Sequence, residues 1–132
     1  MDQLVAAPLA GLTLAPASSG FVIGEWTDEA GWSSAERPIA SPHVHHSDDE
    51  GWYVLEGRLG VRLDDRTVET GPGGAVIAPR GIAHTFWNAS DGTTRYLIVM
   101  TRKIADLIDE LHETKFVDAA ETFRKYDSEL VG

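Results

Sequence analysis

Between residues 41 and 101 the chain reads as short apolar or alternating runs, broken every ten or so positions by turn residues. Trp52-Tyr53-Val54-Leu55 runs into Glu56-Gly57, and Leu59, Val61 and Leu63 then alternate with Gly60 and Arg62. Asp64-Asp65 suits a tight hairpin, after which Thr67-Val68-Glu69 leads to the break Gly71-Pro72-Gly73-Gly74. Ala75–Ala78 stops at Pro79, Ile82–Trp87 stops at Asn88-Ala89-Ser90-Asp91-Gly92, and Arg95–Thr101 closes the series. Many short strands at this spacing predict a sandwich or barrel, and no long helix separates them as a parallel sheet would require. Before residue 41 the clearest strand is Gly20–Trp26, with a turn at Asp28–Gly31 and weaker strands around Leu12–Leu14 and Ile39.

After residue 101 the period changes. Ile104, Leu107, Ile108 and Leu111 recur at helical steps, with Asp106, Asp109, Glu110 and Glu113 mostly opposite. A second helix begins at Asp118, read as an N-cap with Glu121 completing a capping box, and its apolar side is Val117, Ala120, Phe123 and Tyr126. The expected arrangement is an all-β domain spanning 1–132, with barrel motifs within about 38–101 and a helical tail over about 102–130. The tail helices are expected to pack on the barrel or on a sister subunit.

Composition narrows the function classes. The 132 residues suit one domain that buries roughly two-thirds of its unfolded surface. Against 21 Asp and Glu stand 11 Lys and Arg, a formal charge of −10 that argues against nucleic acid or an anionic membrane as partner. There is no cysteine, so zinc fingers, iron–sulfur clusters and thiol nucleophiles are excluded, and a metal must sit on nitrogen and oxygen. The start of the chain has Asp2 where a secretory signal carries Lys or Arg, and a cytoplasmic location is expected.

The candidate chemistry begins at His43-Val44-His45. Two residues apart on a strand, both imidazoles face one side and suit a cation about 2 Å away. Glu50 follows five residues later, with Asp48 and Asp49 as rivals. Strand parity favours Glu50, leaving Asp48 and Asp49 as a solvated acidic loop. His84 enters a new strand behind the stiff turn Pro79-Arg80-Gly81, on one face with Phe86 and Asn88. His46 points away from His45 and reads as rim, and His112 reads as solvent-facing.

These residues resemble the two motifs of the cupin superfamily, in its small single-domain, quercetinase-like form. His43, His45, Glu50 and Gly57 match the first, H-x-H, three or four residues, Glu, six residues, Gly, which decides the carboxylate for Glu50. Gly73, Pro79, Gly81, His84 and Asn88 match the second, G-x5-P-x-G-x2-H-x3-N. One place departs: six residues before His43 the family has Gly, and here stands Arg37. The resemblance implies a double-stranded β-helix, or jelly roll, with His43, His45, Glu50 and His84 holding one divalent metal ion. Asn88 is then a residue that fixes a turn.

Three imidazoles and a carboxylate suit Fe, Mn, Ni, Co, Cu or Zn. Trp52 and Phe86 share strand faces with these residues and are expected to line a pocket for a small organic ligand. The resulting expectation is a metal-dependent oxidoreductase of dioxygenase type, acting on a small oxygen-rich or aromatic substrate, with Glu50 as the catalytic proton carrier. The alternatives are a metal-dependent isomerase or cyclase, and a non-catalytic binding or sensing module. The expected partners are that small molecule and a second copy of the chain in a homodimer, with no nucleic acid and no membrane.

Overall fold

A computed structural model describes residues 3–131. Two five-stranded antiparallel sheets face each other and enclose the core. The first carries β1 (Thr13–Leu14), β2 (Phe21–Asp28), β9 (Thr94–Thr101), β4 (Glu50–Glu56) and β7 (Ala75–Ala78), adjacent in that order. The second carries β10 (Ser128–Leu130), β3 (His43–His45), β8 (His84–Asn88), β5 (Leu59–Leu63) and β6 (Arg66–Thr70). From β2 onward the chain crosses from one sheet to the other at every link except the β5–β6 hairpin, and the fold is the double-stranded β-helix expected from the sequence. Inward residues of both sheets, among them Val22, Trp52, Val54, Leu59, Val61, Phe86, Tyr96 and Ile98, form one buried cluster.

The punctuation read from the sequence is where the chain turns. Asp64 takes φ 54° in the two-residue link between β5 and β6. Asn88 is the turn-fixing residue: Nδ2 donates to Asp28 O, Glu29 O and Gly92 O, and Oδ1 accepts from Ser90 and Thr94. Arg37, in the family's glycine place, sits in a turn it closes itself, through Arg37 N to Ser34 O at 3.1 Å and its guanidinium to Gly31 O. Buried Asp28 accepts from Tyr96 Oη at 2.8 Å. Burial raises the Asp28 carboxyl despite that bond, and burial with the neighbouring carboxylate raises the Tyr96 phenol.

Several expectations fail for identifiable reasons. Ile39 is not in a strand; it is held by Ile39 N donating to Phe86 O at 2.9 Å. Val117 is 71% exposed, because it lies in the turn before the second helix rather than on its face. That helix, α2 (Ala119–Lys125), does follow Asp118, but Asp118 has φ 53° and makes no side-chain cap bond, so the capping box does not form. The first helix, α1 (Arg102–Glu113), is capped by Thr101, whose side chain accepts from Ile104 N. Nor is the tail helical to residue 130. Ser128–Leu130 is the strand β10, paired antiparallel with the strand that carries His43 and His45.

Gly57 shows how tightly the motif is set. It has φ 81°, and a Cβ there would meet Thr93 O and lie 2.7 Å from Thr94 Cα, both backbone. Gly73 has φ 86° with open space around it. Gly57→Ala therefore costs the left-handed backbone penalty plus displacement of β9, at least ~3 kcal/mol, against about 1 kcal/mol for Gly73→Ala. Urea unfolding of the two variants measures the difference, and equal losses would refute the close approach.

Candidate metal centre

The two sheets contribute unequally to one buried cluster. His43 and His45 come from β3 and His84 from β8, adjacent strands on which His43 pairs with His84. Glu50 opens β4 in the opposite sheet. All four side chains are buried, and one donor atom from each lies within 4.8 Å of all the others. Donors around a shared ion at bonds of ~2.1 Å stand between ~3 and ~4.2 Å apart, so little movement is needed to hold one. Glu50 Oε1 is 3.3 Å from His45 Nε2 and 3.1 Å from His84 Nε2.

The chemistry of the donors fits a cation. His43 Nδ1 lies 2.7 Å from Ser41 O and His84 Nδ1 lies 3.0 Å from Ile82 O. A carbonyl oxygen only accepts, so each Nδ1 carries the proton, and in the neutral ring Nε2 would be the atom open to a cation, where Glu50 Oε1 now stands 3.1 Å from His84. Nε2 of His45 is buried without a hydrogen bond. Lone pairs and a carboxylate gathered away from water are costly without a positive charge among them. The cluster is thus compatible with one metal ion.

Electrostatics agree. Burial pushes His43 down to about 4, with help from neighbouring His84 and His45. Burial alone would raise Glu50, but its contacts with His45 and His84 outweigh this and hold the carboxyl at about 2. The quartet therefore offers neutral His43 and charged Glu50 at neutral pH, the forms that bind metals.

The rivals to Glu50 are occupied elsewhere. Asp49 accepts from Arg80 N at 2.9 Å and pairs with the Arg80 guanidinium at 3.0 Å. This ties the loop after His45 to the turn before His84. Asp48 is not a freely solvated loop residue; it is 8% exposed and lies 3.6 Å from Lys103 Nζ. His46 is at the rim, 3.5 Å from Glu129.

A cavity of roughly 310 Å³ opens over the quartet, reaching His43, His45 and Glu50. Phe86 and Trp26 line it from the sheets. Ile104, Leu107, Ile108 and Leu111 of α1 and Phe123 of α2 line it from the tail. Trp52 does not line this cavity; it lies behind the site, its ring 5.6 Å from that of His84 and 5.4 Å from that of Phe86. Exposed His112 also lines the cavity, with Nδ1 2.8 Å from Ile108 O. Two contributors escaped the sequence reading. Phe123 packs its ring 5.2 Å from that of His43, and Ser128 Oγ lies 2.7 Å from His45 Nδ1. The helical period did mark Phe123 as apolar, whereas nothing near Ser128 signals its strand.

A sequence model of the Cupin domain matches residues 26–100, and the chain belongs to the cupin superfamily. An uncharacterized Streptomyces coelicolor protein is 28% identical over 79 residues, 60% of this chain and 68% of that one. Among solved structures, a cupin protein from Bacteroides fragilis aligns with TM-score 0.61 at 19% identity, covering 75% of this chain and 81% of that one, a likeness of fold. The polyketide cyclase RemF from Streptomyces resistomycificus aligns with TM-score 0.50 at 33% identity, over 75% of this chain and 61% of that one. A cupin-superfamily sugar phosphate isomerase from Silicibacter pomeroyi aligns with TM-score 0.55 at 28% identity, over 65% of this chain and 53% of that one. This chain thus spans about half the length of that isomerase. No helix among the described residues is long and apolar enough to cross a membrane.

The pH response follows from His43. Between its ordinary 6.5 and about 4, the unfolded chain binds a proton on this imidazole that the folded chain does not. Stability therefore rises with pH across that window and is lost as pH falls through it. Metal-free protein should lose on the order of 1–3 kcal/mol between pH 7 and 4.5, and His43→Gln should flatten the slope. Thermal unfolding at several pH values checks this, and a midpoint unchanged over the window would contradict it.

Proposed function

We propose that the protein is a metal-dependent enzyme acting on a small, largely apolar organic substrate that carries adjacent oxygen atoms. The observation that carries this reading is the setting of the quartet: three imidazoles and one carboxylate gathered together, with His43, His45 and Glu50 at the floor of a cavity walled by aliphatic and aromatic side chains. Among the described residues that line the cavity, none is Lys or Arg. A sugar phosphate would bring two negative charges beside Glu50 with no Lys or Arg side chain to meet them, which sets the substrate apart from that of the isomerase. A carbonyl-rich, polyketide-like molecule meets the cavity better, with its rings on Phe86, Phe123 and Ile104 and its oxygens toward the histidines.

His43, His45, Glu50 and His84 would hold a divalent ion, which would supply Lewis-acid chemistry toward such a carbonyl compound. Glu50, held near 2, stays charged across the physiological range. Its Oε2 lies outside the contacts that Oε1 makes with His45 and His84, and it is the carboxylate oxygen offered to a substrate proton. The apolar wall from α1 and α2 excludes water while that proton moves. His112, with Nδ1 bonded to Ile108 O, leaves Nε2 as the polar group for a substrate hydroxyl near the entrance. The reaction class best supported is isomerisation or cyclisation. The donor set itself favours a second reading, the dioxygenase, because nitrogen-rich sites with a carboxylate suit redox-active ions.

Elemental analysis of protein purified without chelators should find about one divalent ion per chain, lost in His84→Ala with a fall in kcat/KM of at least ~100-fold. Turnover of an aromatic polycarbonyl compound under strict exclusion of oxygen supports the isomerase or cyclase reading. Oxygen consumed in step with product supports the dioxygenase. Substrate that stabilises the protein and is recovered unchanged overturns both in favour of a binding module.

A further inference from the structure

We propose that Ser128 is a positioning residue of the metal centre, fixing the proton of His45 on Nδ1 and so turning its Nε2 lone pair toward the other three donors. This rests on the metal reading above.

Two proton arrangements are conceivable around His45. In one, Nδ1–H donates to Ser128 Oγ and the hydroxyl donates onward. In the other, the hydroxyl donates to Nδ1, and Nε2–H points at Glu50. The surroundings of the hydroxyl decide between them. Ser128 Oγ lies 3.1 Å from Tyr126 O in donor geometry, and a carbonyl oxygen only accepts. The hydroxyl has one proton, so its place toward Tyr126 O leaves a lone pair for His45 Nδ1–H at 2.7 Å. Consistently, Nε2 of His45 makes no hydrogen bond, although Glu50 Oε1 is 3.3 Å away. His45 then matches His43 and His84, whose Nδ1 protons are set by the main-chain carbonyls of Ser41 and Ile82.

The difference lies in where the acceptor comes from. Ser41 and Ile82 sit two residues before the rings they hold, whereas Ser128 stands 83 residues from His45. It reaches the ring because β10 pairs with β3 in the register Ser128↔His45. Ser128 is 2% exposed, so water does not replace its hydroxyl easily. The tail is thereby part of the metal site, and ion binding and docking of β10 reinforce each other, as linkage requires.

The test uses the full chain with nitrogen-15 labelling and Co(II) as probe. In metal-free protein near pH 8, above the ordinary range of histidine, ring correlations of His45 should show Nδ1–H alone in the wild type and a mixture in Ser128→Ala. Co(II) affinity should fall ~10- to 100-fold in Ser128→Ala, with a changed absorption band. Leu130→Ala loosens the same strand without touching the hydroxyl, so its Co(II) affinity should fall by less than that of Ser128→Ala and its His45 should keep Nδ1–H. The proposal is overturned by a wild-type ring protonated at Nε2, by unchanged affinity in Ser128→Ala, or by an equal loss in Leu130→Ala. A wild-type chain that shows Nδ1–H but takes up no Co(II) overturns the metal reading and leaves the tautomer assignment standing.

Discussion

The inward meeting of imidazole lone pairs with one carboxylate, between two sheets, is the constraint on which the rest of this structure depends. Neither sheet carries the set alone: β3 and β8 bring the nitrogens, and β4 brings the oxygen. Because side chains alternate along a strand, a slip of one residue in any of the three would turn its donor out of the barrel. The registers His43↔His84 and Glu50↔Met100 are therefore functional quantities as much as structural ones. The devices that hold them are the Gly57 turn, the Asn88 hub and the Asp49–Arg80 clamp. An exposed ion pair like that clamp adds little stability by itself. Its value is geometric, since it fixes two loops that each lead into a strand bearing a donor.

The quartet was legible in the sequence because its information is local. The i, i+2 spacing of His43 and His45, the count from His45 through Glu50 to Gly57, and the stiff turn before His84 each survive without the tertiary structure. The strands between residues 50 and 101 were legible for the same reason: turn residues bound them. What escaped was set by partners distant in the chain. Ser128–Leu130 is too short to show a period, and its strand character comes from β3. Asp48 looks like surface in an Asp-Asp-Glu run, yet it is buried and pairs with Lys103 of α1. Trp52 has the right face for a pocket residue, but the space on its side of His84 is filled with core. At Asp118 the residue type suggests a cap, and the left-handed backbone forbids the bond.

The barrel is a scaffold shared by many chemistries, and membership in the superfamily does not choose among them. The distinguishing part is what stands over the ion site. Here that part is the chain's own tail, which supplies apolar side chains from α1 and α2. The two helices are joined through Glu110, which accepts from Lys125 Nζ at 2.5 Å and Tyr126 Oη at 2.8 Å. These helices supply the wall over the four donors, and Phe123 of α2 also packs on the ring of His43.

The pairing of the last described residues has a practical consequence for anyone handling the protein. Val131 N donates to Pro42 O at 2.9 Å, directly beside His43. Adjacent strands lie only about 4.8 Å apart. A run of histidines introduced beyond Val131 would start a strand's width from the donors and would compete with them for any cation they hold.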